Sequence, residues 1–385
     1  MRDSILVFLG VLGAGLWVGG CGEPGPGEGT GGDGGGGAGG GSTTSATDTE
    51  STTTETEDPL GPWAISATTV DGLPFVWGGM VAQESAKVAY LAGGVGGTNG
   101  PVTGKVVRLE QGSSGVTATE VTASLTARYC GCAMVDASRK ELIVLGGRGA
   151  QFNETKTAEL VHLDTGEVEA FDAGETVAHP VGCHAVFLAD RDEGYVFGGA
   201  GQGAGFSAST YRYDPKDHTL TLLDGSSPPA RYDGALRYPE EGGAVWLAGG
   251  MGLSGSSPKF YSDVWKLDPA TGTWSEIATS GAVPPGRRLP WIAFEGGGAS
   301  MVMGFGSDSA MGATMLGDLW RLDPAAGTWS EVELSGEAMP GKVGFALWLP
   351  GPAGSAGLLS GGLGELGLSK QAFVLEAPGG NGGWR

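Results

Sequence analysis

From Pro62 onward, short apolar runs alternate with glycine turns, and five of the runs end in paired glycines. These are VAYLAGG (Gly93, Gly94), LIVLGGR (Gly146, Gly147), GYVFGGA (Gly198, Gly199), AVWLAGG (Gly249, Gly250) and GLLSGGL (Gly361, Gly362). Between the last two, SMVMGFG places Gly304 and Gly306 in the same position with Phe305 between them. Successive first glycines lie 53, 52, 51, 55 and 57 residues apart. Runs of this length bounded by glycine read as strands. A period near fifty built from short strands reads as a propeller rather than a helical solenoid. A further strand precedes each of the last five runs, as CAMVDA, CHAVFLA, GALRY, WIAFE and FALWL. A third follows, as KVVRLE, AELVHLD, STYRYDP, DVWKLDP, DLWRLDP and QAFVLEAP. The Asp-Pro or Asp-Thr-Gly after it is turn chemistry that leads into a fourth strand.

One phrase makes the unit plain. LDPATGTWSEI (Leu267 to Ile277) returns as LDPAAGTWSEV (Leu322 to Val332), and both read as the hairpin from third to fourth strand. Trp274 and Trp329 mark the start of that outer strand, where Val116, Val168 and Leu220 stand in the first three units. Four antiparallel strands in each of six units predict an all-β, six-bladed propeller over residues 60–385. An unclosed ring would leave an exposed sheet edge. The last unit supplies three strands, about Val343 to Leu375, and only Arg385 follows Trp384. The segment WAISATTV (Trp63 to Val70) is therefore expected to complete the last blade from the N-terminal side.

The first 59 residues have another texture. Ile5 to Gly20 is apolar and uncharged behind Arg2, too short for a span of about 20 apolar residues and suited to a signal-peptide core. VGGC, ending at Cys21, resembles the lipobox of bacterial lipoproteins, which implies residues 1–21 as a lipoprotein signal with lipidation at Cys21. Acyl chains there anchor through roughly 0.8 kcal/mol per buried methylene. Residues 22–59 hold only Gly, Ser, Thr, Ala, Pro and acids, so they cannot offset the entropy of ordering and read as a disordered tether.

Composition adjusts this picture in two ways. Gly (76) and Pro (21) are abundant, but much of the glycine recurs in register and marks turns rather than low complexity. The net charge of −21 argues against nucleic acid as a partner.

The Gly-Gly after a hydrophobic run, an aromatic third strand and a Trp beyond it are similar to kelch repeats. YSDVWKLDPATGTWSEI and LGDLWRLDPAAGTWSEV carry the resemblance best. It covers about Trp63 to the C-terminus and implies a six-bladed kelch-like β-propeller, a fold that hosts enzymes, adaptors and binding modules.

At the start of the first strand in five of the six blades stand Arg128, His179, Arg231, Arg287 with Arg288, and Lys342, while the first unit has Leu73 and Pro74 there and no base. In kelch adaptors, arginines at this place line the face that holds acidic peptides. The resemblance thus offers Arg128, Arg231 and Arg288 as a candidate anion-binding mouth. The same arginines could instead pin a neighbouring loop or aspartate. Cys132 and Cys183 align on adjacent blades, and Cys130 shares a strand face with Cys132, so Cys183 can bridge to either. A metal site from these cysteines and His184 is disfavoured, because neighbouring strand residues point to opposite faces. No catalytic motif, metal site or cofactor is legible. The reading is a monomeric, lipid-anchored protein of the outer membrane or cell surface that presents a propeller face to a protein or glycan. The alternative is an extracytoplasmic carbohydrate-active enzyme, galactose-oxidase-like or sialic-acid-epimerase-like, with its site at the central channel.

Overall fold

A computed structural model of the chain describes residues 62–376, short interruptions aside. Cys21, the tether and Trp384 lie outside the described residues. Every named element is a strand.

The second blade shows the form most plainly. Cys132–Asp136, Glu141–Leu145, Ala158–His162 and Val168–Phe171 pair antiparallel in chain order. Leu142, Ile143, Val144 and Leu145 are all buried. A strand covered on both faces reads as one apolar run, which is why the sequence shows no polar alternation there. The same meander forms from Met80–Gln83 to Gly115–Thr122, from His184–Leu188 to Thr219–Leu222, from Ala235–Arg237 to Thr273–Glu276 and from Trp291–Glu295 to Thr328–Val332. Five blades of this form, rather than the expected six, follow one another along the chain. The remaining sheet is composite. Lys342–Leu349, Ser355–Gly364 and Ala372–Glu376 pair in succession, and Trp63–Thr68 lies antiparallel against Ala372–Glu376. Its first pair slips register between Val343 and Ala346, and Leu334–Gly336 joins its outer edge in parallel, so it departs from the plain meander.

Blades pack face to face. Cys132, Met134 and Ile143 of the second blade share one core with Val196, Tyr211 and Tyr213 of the third. Trp274, from the outer strand of the fourth blade, sits against Leu188, Tyr195 and Phe197 of the third. Its Nε1 donates to Thr210 Oγ1 at 2.9 Å. Trp329 of the fifth blade likewise enters the core of the fourth beside Trp246 and Val264. Leu220 takes that place between the second and third blades, and Val168 between the first and second. The tryptophans of the repeated phrase are wedges between blades, and burying a large apolar side chain contributes about 1.5–3 kcal/mol.

A second tie runs through the backbone near the axis. Gly78, Cys130, Gly182, Asp233 and Leu289 all hold left-handed backbone, with φ between 53° and 65°. Each amide after the first donates to the carbonyl of its counterpart one blade earlier: Cys130 to Gly78, Gly182 to Cys130, Asp233 to Gly182 and Leu289 to Asp233. This belt stitches five blades together before any side chain is counted. Left-handed backbone is also why Phe305 (φ 56°), rather than Gly304, is the equivalent of Gly249 in the fifth blade. Phe305 N donates to the Asp318 carbonyl as Gly249 N does to that of Asp263.

Candidate functional site

Arg128, Arg231 and Arg287 occupy one structural position, two residues before the belt. Each Nε donates to the carbonyl two residues back, on Thr126, Pro229 and Pro285, at 3.1, 3.0 and 3.1 Å. Each Nη1 donates to the carbonyl of the residue closing the second strand, Gly146, Gly249 and Phe305, at 3.1, 3.0 and 3.0 Å. The fork then closes on a carboxylate of the third strand or its approach. Arg231 meets Asp263 (Nη2 to Oδ2, 2.7 Å) and Arg287 meets Asp318 (2.7 and 2.8 Å). Arg128 meets Glu159, with Thr157 Oγ1 accepting a further bond at 2.9 Å. Their own carbonyls accept amides from the preceding blade, at Gly94, Gly199 and Gly250. In the third blade Pro180 stands in this position, its carbonyl accepting from Gly147.

This placement corrects the expected anion-binding mouth. Arg128, Arg231 and Arg288 are 0% exposed, so no guanidinium is left at a rim. They tie the propeller together instead, through Glu159, Asp263 and Asp233, with Arg231 set on Asp263 as a bidentate fork. Arg288 is also one residue out of step with the other two. It reaches across to the buried Asp233 of the fourth blade and lies 5.3 Å from the Tyr232 ring centre. His179 and the side chain of Lys342 lie outside the described residues.

Electrostatics fit a clamp. Burial lowers the Arg128 pKa, and Glu159 partly offsets this. Burial raises that of Asp233 against the pull of Arg288 and Arg148. At Asp318 burial opposes ionisation, but bonds from Arg287 and Trp320 win, and its pKa falls below the ordinary value.

Of the two partners open to Cys183, the structure joins Cys132, with Cα atoms 5.4 Å apart, well within bridging reach. Cys130 does not share the strand face of Cys132. It sits in the belt before the strand begins, so strand alternation does not extend to it. His184 turns to the fourth blade, where Nε2 accepts the Gly234 amide at 2.9 Å. Burial, with Arg231 and Arg237 adding, pushes its pKa down to about 3. It is neutral at physiological pH, with its proton on Nδ1. Among the described residues no three His, Cys, Asp or Glu side chains are grouped to hold a metal.

What remains open lies at the end of the ring that carries the loops between second and third strands. Here the fourth blade projects a hairpin, Met251–Ser254 against Ser257–Phe260. Leu253 on it is 38% exposed, and Val283, on the loop into the fifth blade, is 46% exposed. The two segments adjoin, since Arg287 N donates to the Tyr261 carbonyl. Phe206 stacks on Tyr232 beside them, centroids 5.1 Å apart. Sequence reasoning did not single out this hairpin, although the turn GLSGSSP between its strands was a usable signal. It also missed Asp263 and Asp318 as arginine partners, legible in the repeated SDVW and GDLW.

The arrangement agrees with comparison to known proteins. The sequence profile described as the KLHDC2/KLHL20/DRC7 Kelch-repeats domain matches residues 79–295 and 162–352. Kelch domain-containing protein 3 of Homo sapiens and that of Bos taurus are each 28% identical over 149 residues. That stretch is 37% of this chain and spans 38% of the length of those relatives. With a repeat of four strands, a glycine-closed second strand and an arginine clamp, the chain belongs to the KLHDC2/KLHL20/DRC7 Kelch-repeats domain family.

Proposed function

We propose that this protein is a non-enzymatic scaffold that presents the loop-bearing end of a closed six-bladed ring to a protein partner at the cell envelope. The observation that carries the reading is the exposed apolar pair Leu253 and Val283 on that end, above a ring whose repeated arginines are consumed in structural clamps. A double variant Leu253→Asp/Val283→Asp should keep the melting temperature and lose cross-linking to a partner identified with the wild type. Undiminished cross-linking would remove the assignment of this face.

Closure rests on a shared pattern at blade edges. The chain leaving one outer strand pairs in parallel with the outer strand of the next blade: Gly174 with Leu220, and Ser280 with Thr328. Leu334–Gly336 meets Trp63–Ile65 in this way, and Val70–Asp71 meets Val116–Thr117. Trp63 packs on Trp291 and Phe305 of the fifth blade, as Trp329 packs on the fourth. These contacts support Trp63–Thr68 as the outer strand of a sixth blade between the fifth and the first.

The envelope location rests on the sequence ahead of residue 60. Metabolic labelling with a palmitate analogue tests it: the wild type should be labelled and Cys21→Ser should not, and equal labelling of both would refute lipidation.

A further inference from the structure

Away from the arginine clamps, one cationic pair meets no acid among the described residues. Eight arginines in the described chain hold ion pairs: 108, 128, 139, 191, 231, 287, 288 and 321. Arg237 is half-buried and, among the described residues, has neither ion pair nor hydrogen bond. Lys266 differs from the other described lysines in being half-buried rather than exposed, and it too meets no carboxylate among the described residues. In a chain of net charge −21, two such cations side by side call for a physical reason.

Their registers make them neighbours. Arg237 lies directly opposite Trp246, and Trp246 directly opposite Lys266, on successive strands of the fourth blade. Directly opposed residues share a sheet face. With strands about 4.8 Å apart, the two backbones stand roughly 10 Å from each other with the indole between. Lys266 Nζ lies 4.0 Å from the Trp246 ring centre, which holds the ammonium inward over the face. The Phe294 ring of the fifth blade packs against the same indole, with centroids 5.3 Å apart. Burial alone lowers the pKa of both cations, with no acid opposing it. Desolvating a cation is unfavourable unless a counter-charge meets it, and an anion bound between the two would supply that charge.

We propose that Arg237 and Lys266, flanking Trp246 in the cleft between the fourth and fifth blades, form a binding site for a tetrahedral oxyanion, phosphate or sulfate, free or as a monoester. A guanidinium fork and a point-charge ammonium on opposite sides suit a dianion with four oxygens, whereas a small carboxylate meets only one of them. The site does not depend on the docking role proposed above. Arg237 ends the first strand of its blade, so this row lies at the opposite end of the blade from the Leu253 hairpin.

Titration of the full chain at low ionic strength tests the site, with inorganic phosphate, inorganic sulfate, glycerol 3-phosphate and acetate as probes. Calorimetry and tryptophan fluorescence report on binding. Saturable binding of phosphate or sulfate is expected, with acetate at least tenfold weaker. Arg237→Met and Lys266→Met should each weaken binding tenfold or more, and Lys266→Arg should retain it. Tighter binding of glycerol 3-phosphate than of phosphate assigns an esterified ligand, and the reverse a free ion. If Arg237→Met does not fold, Lys266→Met and Lys266→Arg decide alone. Absence of saturable binding, or equal binding by wild type and Lys266→Met, overturns the proposal.

Discussion

Asp318 gathers three donors on one carboxylate: both Nη atoms of Arg287, and the Trp320 indole at 2.7 Å. Its folded pKa lies below the unfolded value, so the unfolded state binds more protons at acid pH and stability falls there. The contribution is complete above the unfolded pKa of about 3.9 and disappears as pH drops through the folded value. Asp318→Asn should therefore cost about 1.5–3 kcal/mol near neutrality. Urea denaturation at descending pH should show that gap closing below about pH 4. His184 titrates in a different window. Its folded pKa of about 3 lies below the unfolded value, so stability is lost as pH falls from about 6.5 toward the folded value. His184→Gln, which can still accept the Gly234 amide, should flatten stability over that interval; an unchanged slope would mean the imidazole already charges in the native state.

A strand earns its place here by what it wedges between. Trp274 bonds Thr210 of the preceding blade and packs 5.4 Å from Phe197. Trp274→Phe loses the bond, about 1 kcal/mol, together with part of the packed ring, and should cost less than Trp274→Ala, which should lose about 3–5 kcal/mol. Hydrogen exchange should locate the Trp274→Ala effect in the strands of the third blade as well as the fourth. Strands of this kind were legible because glycine pairs and Asp-Pro turns punctuate the chain at fixed intervals. The short left-handed segment before each inner strand was not. Strand alternation gave Cys130 the face of Cys132, and pattern alignment gave Arg288 the role of Arg287. The first assumed extended backbone where φ is positive, and the second could not tell which of two adjacent arginines stands two residues before the left-handed position. The half-buried row of Arg237 and Lys266 was hidden for a related reason: cross-strand register places them together, and neither residue is unusual in its own strand.

Across the molecule, side-chain ties join particular neighbours. The Cys132–Cys183 bridge joins the second and third blades across 51 residues. Cys183→Ser should lower stability by about 2–4 kcal/mol, seen as a lower melting temperature and a lower urea midpoint. Removal of residues 1–69 would take away the partner of Ala372–Glu376 and bare a sheet edge. That truncation should melt earlier and self-associate on size-exclusion chromatography, and a monomer of unchanged stability would count against ring closure. The belt near the axis has a wider consequence. Gly, Cys, Gly, Asp and Leu fill its five positions, yet the amide-to-carbonyl bonds are the same throughout. The fastening is thus indifferent to spelling, and individual blades are free to drift in sequence while the wheel keeps its hub.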